Sequence, residues 1–375
     1  MKGFGDLYKS EKKRNKKNNF SKEQVINHAI KLHLEGNIAL AEKNYKQLIS
    51  QGCNDHRIFS NYGIILQDQG KLQDAELSYR KAIELNPNFA DGHSNLGNIL
   101  SIFGNLKDAE IYTRKAIELN PNFVNAYLNL GNILRDLGKS QDAELSYRKA
   151  IELDPNFVDG NSNLGNLLRD IGKLQEAEIF TRKAIEIDPN YVNAHLNLGN
   201  ILKDLGKSQD AELSYRKAIE INPNFLIANS NLGNLLRDLG KLQEAEFYTR
   251  KAIEIDPNFA NAHLNLGNIL KDLGKSQDAE LSYRKAIKLN PNFIDAHMNL
   301  GNILRHVGKL QDAEISTRKA IEINPNIAGP YYNLGQILIS LEKFEEARLC
   351  SEKIMTIRPW SILGSYSFNY EMKLD

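Results

Sequence analysis

Two sets of asparagines recur at a fixed spacing along this chain. One set recurs every 34 residues at ten positions, and a second asparagine follows three residues later in seven of the ten cases. We name the first set the primary asparagines: Asn27, Asn61, Asn95, Asn129, Asn163, Asn197, Asn231, Asn265, Asn299 and Asn333. We name the second set the secondary asparagines: Asn98, Asn132, Asn166, Asn200, Asn234, Asn268 and Asn302. Because an amide offers a donor and an acceptor together, a row of amides could hold the backbone of an extended polypeptide without reading its side chains.

The same asparagines also have a purely structural interpretation. Residues three apart share one face of a helix, so each primary asparagine would lie beside its secondary asparagine. Amides on that face could cap a helix or bridge neighbouring repeats, or they could simply have been copied when the repeats were duplicated. The sequence leaves the binding and the structural interpretation open.

Histidine also recurs, but its spacing does not suit a metal site. His93, His195, His263 and His297 occupy equivalent places in different repeats. Equivalent helices of stacked repeats lie on the order of 10 Å apart, because neighbouring helices pack at 8 to 10 Å. One ion needs its ligands at about 2 Å. We therefore predict no metal ligand among these residues.

The remaining polar patterns do not resemble a catalytic centre. Glu144 is followed four residues later by Arg148, and this spacing recurs in each complete middle repeat and is typical of surface ion pairs. Hydroxyls such as those of Ser146 and Tyr147 have no histidine nearby in sequence to activate them. The sequence contains no P-loop, dinucleotide fingerprint, nucleophile elbow or His-Glu-x-x-His string. We predict a protein that is not an enzyme and needs no cofactor.

Residues 124–157 show which elements must position these side chains. Apolar residues recur at helical spacing over 127–137, and Gly138 then favours the left-handed conformation that ends a helix. A second helix is predicted from about Gln141, and Pro155 ends it because proline has no N–H to donate. A lone helix pair cannot bury both of its apolar faces, so successive pairs must stack. The ten repeats begin at residues 22, 56, 90, 124, 158, 192, 226, 260, 294 and 328.

This repeat resembles the tetratricopeptide repeat (TPR). The residues that match are Tyr127, Leu130, Gly131, Leu134, Ala143, Tyr147, Ala150 and Pro155, where that family prefers Trp, Leu, Gly, Tyr, Ala, Phe, Ala and Pro. The resemblance implies an all-α fold, a right-handed superhelical solenoid of ten helix-turn-helix TPR repeats whose asparagine-bearing face lines a concave groove. The repeats are most similar to the asparagine ladder of O-linked N-acetylglucosamine transferases, whose catalytic domain is absent here. For this chain the resemblance therefore implies the capture of a peptide only, and not the transfer reaction.

A second period of 68 residues overlies the first. Leu128 in one repeat stands where Ser162 stands in the next, and Tyr147 alternates in the same way with Thr181. Adjacent repeats therefore differ in a fixed alternation, which predicts a striped binding surface.

The chain is predicted to contain three regions. Residues 1–21 form a basic leader that is expected to be disordered, residues 22–361 form the ten repeats, and residues 362–375 form a C-terminal tail. The first and last repeats are degenerate, with Cys53 in place of the usual proline and Glu342 in place of the glycine that ends the first helix.

The charge balance names no partner class. With 48 Lys+Arg against 47 Asp+Glu the net charge is +1, which favours neither nucleic acid nor an anionic membrane. Neither a secretory signal nor a membrane span is predicted, because long apolar runs are missing. The two cysteines lie too far apart to pair. We expect a cytoplasmic protein with a protein or peptide partner, and the sequence leaves its oligomeric state open.

Two functions follow from these patterns. The first is a non-catalytic protein–protein interaction scaffold that binds an extended peptide segment or a partner helix in its concave groove. The alternative is the substrate-recruiting portion of a glycosyltransferase- or sulfotransferase-like system whose catalytic domain is missing or on another chain. The aromatic-rich segment after Pro359 favours the alternative, because a catalytic partner could dock there.

Overall fold

The computed structural model describes residues 21–357. These residues form twenty α-helices and contain no strand, which confirms the predicted all-α class of ten helix pairs. None of those helices is both long enough and apolar enough to cross a bilayer. The tail, and all but Ser21 of the leader, lie outside the described residues. The disorder of the leader, the boundary at residue 361 and the superhelical course of the repeats remain predictions.

The chain divides after Pro189 into two compact halves, each with five repeats. The N-terminal half contains α1 (Lys22–Leu34), α2 (Ile38–Ser50), α3 (His56–Asp68), α4 (Leu72–Leu85), α5 (Ala90–Ile102), α6 (Leu106–Leu119), α7 (Val124–Asp136), α8 (Ser140–Leu153), α9 (Val158–Asp170) and α10 (Leu174–Ile187). The C-terminal half contains α11 (Val192–Asp204), α12 (Ser208–Ile221), α13 (Leu226–Asp238), α14 (Leu242–Ile255), α15 (Ala260–Asp272), α16 (Ser276–Leu289), α17 (Ile294–His306), α18 (Leu310–Ile323), α19 (Ala328–Ser340) and α20 (Phe344–Ile357).

Within each half, every repeat packs its first helix against its second, and the second helix packs against the first helix of the next repeat. The fourth repeat shows the core of such a pair. Leu130 and Leu134 of α7 and Ala143, Tyr147 and Ala150 of α8 are all buried. Small alanines on the second helix let the two helices cross closely, and burial of the leucines and the tyrosine ring stabilises the pair. First helices of successive repeats also touch, for example α5 with α7 and α13 with α15.

A left-handed residue ends each first helix and sets the angle to the second. Gly138 has a φ of +74°, and the N–H of Lys139 donates to the carbonyl of Leu134 at 2.8 Å. This bond satisfies a carbonyl that the helix end would otherwise leave open. In the last repeat Glu342 takes the same conformation, with a φ of +60°, although it is not glycine.

Candidate functional site

The first helices carry both sets of asparagines on one face. The primary asparagines from Asn61 to Asn299 are half-buried, whereas Asn27 is exposed and Asn333 is buried. All seven secondary asparagines are half-buried. In each half we name this surface the amide face. In the N-terminal half it comprises the asparagines of α5, α7 and α9, and in the C-terminal half it comprises those of α11, α13, α15 and α17.

The amides of the primary asparagines reach back to the preceding repeat. In the N-terminal half, Nδ2 donates in the pairs Asn95 to Ser60 (3.4 Å), Asn129 to Ser94 (3.2 Å) and Asn163 to Asn132 (3.1 Å). In the C-terminal half the pairs are Asn231 to Asn200 (3.0 Å), Asn265 to Ser230 (3.5 Å) and Asn299 to Asn268 (2.8 Å). These six residues therefore bridge neighbouring repeats, as the structural interpretation proposed. Asn61 instead donates to the carbonyl of Arg57 in its own helix.

Three secondary asparagines are fixed from two sides. Tyr147 donates its hydroxyl to Oδ1 of Asn132 at 2.7 Å, and the same oxygen accepts the bridge from Asn163. Asn200 and Asn268 have the same two partners, a tyrosine hydroxyl from their own repeat and a primary asparagine from the next. We name Asn132, Asn200 and Asn268 the tied asparagines.

The other four secondary asparagines have no such partners. Their repeats carry threonine in place of the tyrosine, and the shorter Thr113, Thr181, Thr249 and Thr317 are fully buried between the helices. Among residues 21–357, the side chains of Asn98, Asn166, Asn234 and Asn302 donate or accept no hydrogen bond. We name these four the open asparagines.

The acceptor of the bridge between repeats depends on the fifth residue of each repeat. Where the fifth residue of a repeat is serine, as at Ser94 and Ser230, its hydroxyl accepts the bridge from the next repeat. Where that residue is leucine, as at Leu128, no hydroxyl is present and the bridge goes to the tied asparagine instead. The 68-residue period was therefore a signal that the secondary asparagines differ, although the repeated Asn-Leu-Gly-Asn string alone does not reveal it.

The charged residues near the end of the first helices are largely neutralised by their neighbours. Arg135 pairs with Asp136 at 2.9 Å, and Arg237 pairs with Asp238 at 3.0 Å. Arg305 is an exception because His306 replaces the aspartate, and Nε of Arg305 is buried without a partner in the described part of the chain. Most of the surface beside the amide face therefore carries no strong field of either sign.

The recurring histidines stabilise turns. Nε2 of His263 lies 3.0 Å from the carbonyl oxygen of Pro257, and His297 makes the same contact with Pro291. Asn229 donates its amide to the carbonyl of Pro223 from the same place in its repeat. Over residues 21–357, no three His, Cys, Asp or Glu side chains come close enough to hold a metal ion. Sequence reasoning had not anticipated this contact to the preceding turn.

Several family profiles match the repeats. Three of them are described as tetratricopeptide repeat. The first matches residues 124–157, 192–225, 227–259 and 260–293. The second matches residues 146–179, 282–315 and 317–349, and the third matches residues 90–123. A further profile, described as TPR repeat, matches residues 63–101. Together these matches cover well over half of the chain. The chain belongs to the tetratricopeptide repeat family. The predicted family of this TPR protein is thus confirmed.

Comparisons with solved structures and with curated proteins give less information about this chain than the family profiles do. One similar structure is YrrB, described as a TPR protein with an unusual peptide-binding site, at 25% identity and a TM-score of 0.39, covering 49% of this chain and 95% of YrrB. Another, from the functional characterization of Pseudomonas aeruginosa pilF, has 21% identity and a TM-score of 0.50, covering 54% of this chain and 93% of that one. The second likeness shows the fold alone. A search of curated proteins gave no match. The likeness to O-linked N-acetylglucosamine transferases remains a prediction from the sequence.

Proposed function

We propose that this TPR protein is a non-catalytic scaffold that binds an extended polypeptide segment along the amide face of each half. The observation that carries the proposal is the regular row of half-buried amides on the first helices within a half. A peptide backbone presents alternating N–H and C=O groups, and an amide side chain can pair with both. The surrounding ion pairs leave little net charge, so the backbone rather than an ionic group of the ligand is the feature that this surface suits.

The proposal includes no chemical step. Glu144 and its counterparts in other repeats hold arginine and lysine side chains, as described below, and the histidines contact turn carbonyls. The segment after Pro359, which favoured a transferase partner, lies outside the described residues. The scaffold therefore remains the better supported of the two functions.

Peptide selection tests the proposal directly. A displayed library of random 20-residue peptides is selected on the full chain, and binding of the recovered peptides is measured by fluorescence anisotropy. We expect dissociation constants in the micromolar range, that is about 8 kcal/mol of binding free energy. Each peptide is compared with a copy that is methylated at alternate backbone nitrogens, which removes donors and leaves the side chains unchanged.

The two outcomes are clearly separated. Backbone recognition requires that methylation abolish binding, while replacing single side chains changes the dissociation constant little. If no peptide binds more tightly than about 1 mM, or if methylation has no effect, the proposed function is wrong.

A further inference from the structure

We infer that, within each half, this TPR protein binds a polypeptide at every second repeat only, through the open asparagines. These are Asn98 and Asn166 in the N-terminal half and Asn234 and Asn302 in the C-terminal half. The inference rests on the proposed function and specifies which amides carry it. It differs from the sequence-based interpretation of both asparagine sets as one row of binding amides.

The tied asparagines lack the acceptor that such pairing needs. Oδ1 of Asn132 accepts from the Tyr147 hydroxyl at 2.7 Å and from Nδ2 of Asn163 at 3.1 Å. An amide oxygen has two lone pairs, so both are occupied. A ligand could meet only the remaining N–H groups of Asn132, and a pairing with both polar groups of one peptide unit is excluded. The same holds for Asn200 and Asn268.

The bridging primary asparagines are held in place by the bonds that they donate. Nδ2 of Asn299, for example, lies 2.8 Å from Oδ1 of Asn268. Turning that amide toward a ligand would break the bridge between two repeats. The half-buried amide groups of both residues would then lack a hydrogen-bond partner, which costs free energy. We therefore assign these residues to the packing of neighbouring repeats.

The open asparagines retain both a donor and an acceptor. Each is half-buried and lies on the same face as the bridging residues, yet its amide has no partner among residues 21–357. Both polar groups of each open amide are therefore available to one peptide unit of a ligand. Because their repeats carry threonine at the tyrosine position, as at Thr181 and Thr249, no hydroxyl from the second helix competes for the amide oxygen.

The spacing of the open asparagines predicts a register for the ligand. Asn98 and Asn166 are two repeats apart, and first helices of successive repeats are separated by about 10 Å, because neighbouring helices pack at 8 to 10 Å. Two repeats therefore correspond to roughly 20 Å along the surface. An extended chain rises about 3.3 Å per residue, so gripped peptide units should recur about every six residues.

Matched variants test the inference on the full chain. The open variant combines N98A, N166A, N234A and N302A, and the tied variant combines N132A, N200A and N268A. The probes are 20-residue peptides selected as described above, together with a series in which one backbone nitrogen at a time is methylated. We expect the open variant to bind at least about tenfold more weakly, since each lost hydrogen bond weakens binding by roughly two- to tenfold. Its melting temperature should be unchanged.

The tied variant should behave in the opposite way. Its melting temperature should fall, while the affinity of the folded molecules should stay within about threefold of the wild type. If three substitutions prevent folding, N132A alone serves as the control. In the methylation series, the sensitive peptide nitrogens should recur about every six residues.

Each contrary result has a separate meaning. Wild-type binding that the open variant retains, or sensitivity to methylation at every position alike, overturns this inference and leaves the proposed function standing. If the wild type binds no selected peptide, the proposed function is overturned, and this inference with it.

Discussion

Glu342 shows how a single residue can limit the stability of one repeat. Ten glycines have positive φ angles of 73 to 80°, whereas Glu342 is the only other described residue with a positive φ. A residue with a Cβ atom in this conformation costs roughly 1 to 2 kcal/mol, because the Cβ approaches the following carbonyl oxygen. We expect Glu342→Gly to stabilise the last repeat by up to about 1 kcal/mol, after subtracting the extra freedom that glycine gains in the unfolded chain. Slower hydrogen exchange in α20 would show this.

Gly240 provides the matched control at the same place in its repeat. Its φ is +75°, and no atom lies within 4 Å of an added Cβ, so Gly240→Ala changes the backbone energy without a steric clash. We expect this substitution to accelerate exchange in α14. Unchanged exchange in both variants would mean that the left-handed conformation does not limit stability.

At the scale of helix pairs, the glycine in the middle of the first helix, present in every repeat except the first, decides how closely the second helix packs. A Cβ added at Gly131 of α7 would lie 2.4 Å from the Tyr147 ring of α8. At Gly335 of α19, the equivalent position, the nearest atom would be Cβ of Cys350 at 3.8 Å, which is an ordinary contact. We expect Gly131→Ala to destabilise by about 1 to 3 kcal/mol through overpacking. Gly335→Ala should be neutral or stabilising, because alanine favours a helix by about 1 kcal/mol over glycine.

Thermal unfolding of the two single variants measures this difference. The same substitution at equivalent positions gives opposite expectations, so a general effect of helix propensity cannot produce the result. Equal shifts in melting temperature would contradict the packing argument.

At the scale of each half, a glutamate of the second helix in several repeats also binds the lysine that precedes the second helix of the next repeat. Glu144 of α8 accepts from Arg148 in its own helix at 2.8 Å and from Lys173 of the next repeat at 2.9 Å. Its side chain is only 14% exposed. The hydrogen bond from Lys173 lowers the pKa of Glu144 below its usual value of 4.5, burial opposes this effect, and Arg148 adds to it. Hydrogen bonds from Lys139 and Lys309 likewise lower the pKa of Glu110 and Glu280.

These lowered pKa values predict how stability depends on pH. A carboxylate whose pKa is lower in the folded state stabilises the fold at pH values above about 4.5, and this stabilisation is lost as the pH falls through the folded-state pKa. The melting temperature should therefore fall between about pH 5 and pH 3. The fall should be smaller in Glu144→Gln, which cannot titrate there. Glu152→Gln is the control for the loss of one carboxylate, because that side chain is 67% exposed and pairs with Lys149 of its own helix, and exposed ion pairs contribute little to stability. Identical curves for the wild type and Glu144→Gln would refute the linkage.

The sequence by itself determined the local architecture. A 34-residue period, with glycine where nine of the ten first helices end and proline where nine of the ten second helices end, predicted twenty helices in ten pairs, and the described residues confirm them. This succeeds because helix formation and helix ends depend on residues within a few positions of one another. The sequence also placed both asparagine sets on one helix face.

Only the tertiary structure decided which of those asparagines are engaged. Asn132 and Asn166 stand in the same local string, yet one is fixed by Tyr147 and Asn163 and the other has an open amide. The deciding partners lie 15 and 31 residues away, on the second helix of the same repeat and on the next repeat. Whether a hydrogen bond forms depends on the reach of tyrosine against that of threonine across the packed helices. That distance exists only once the repeats have stacked.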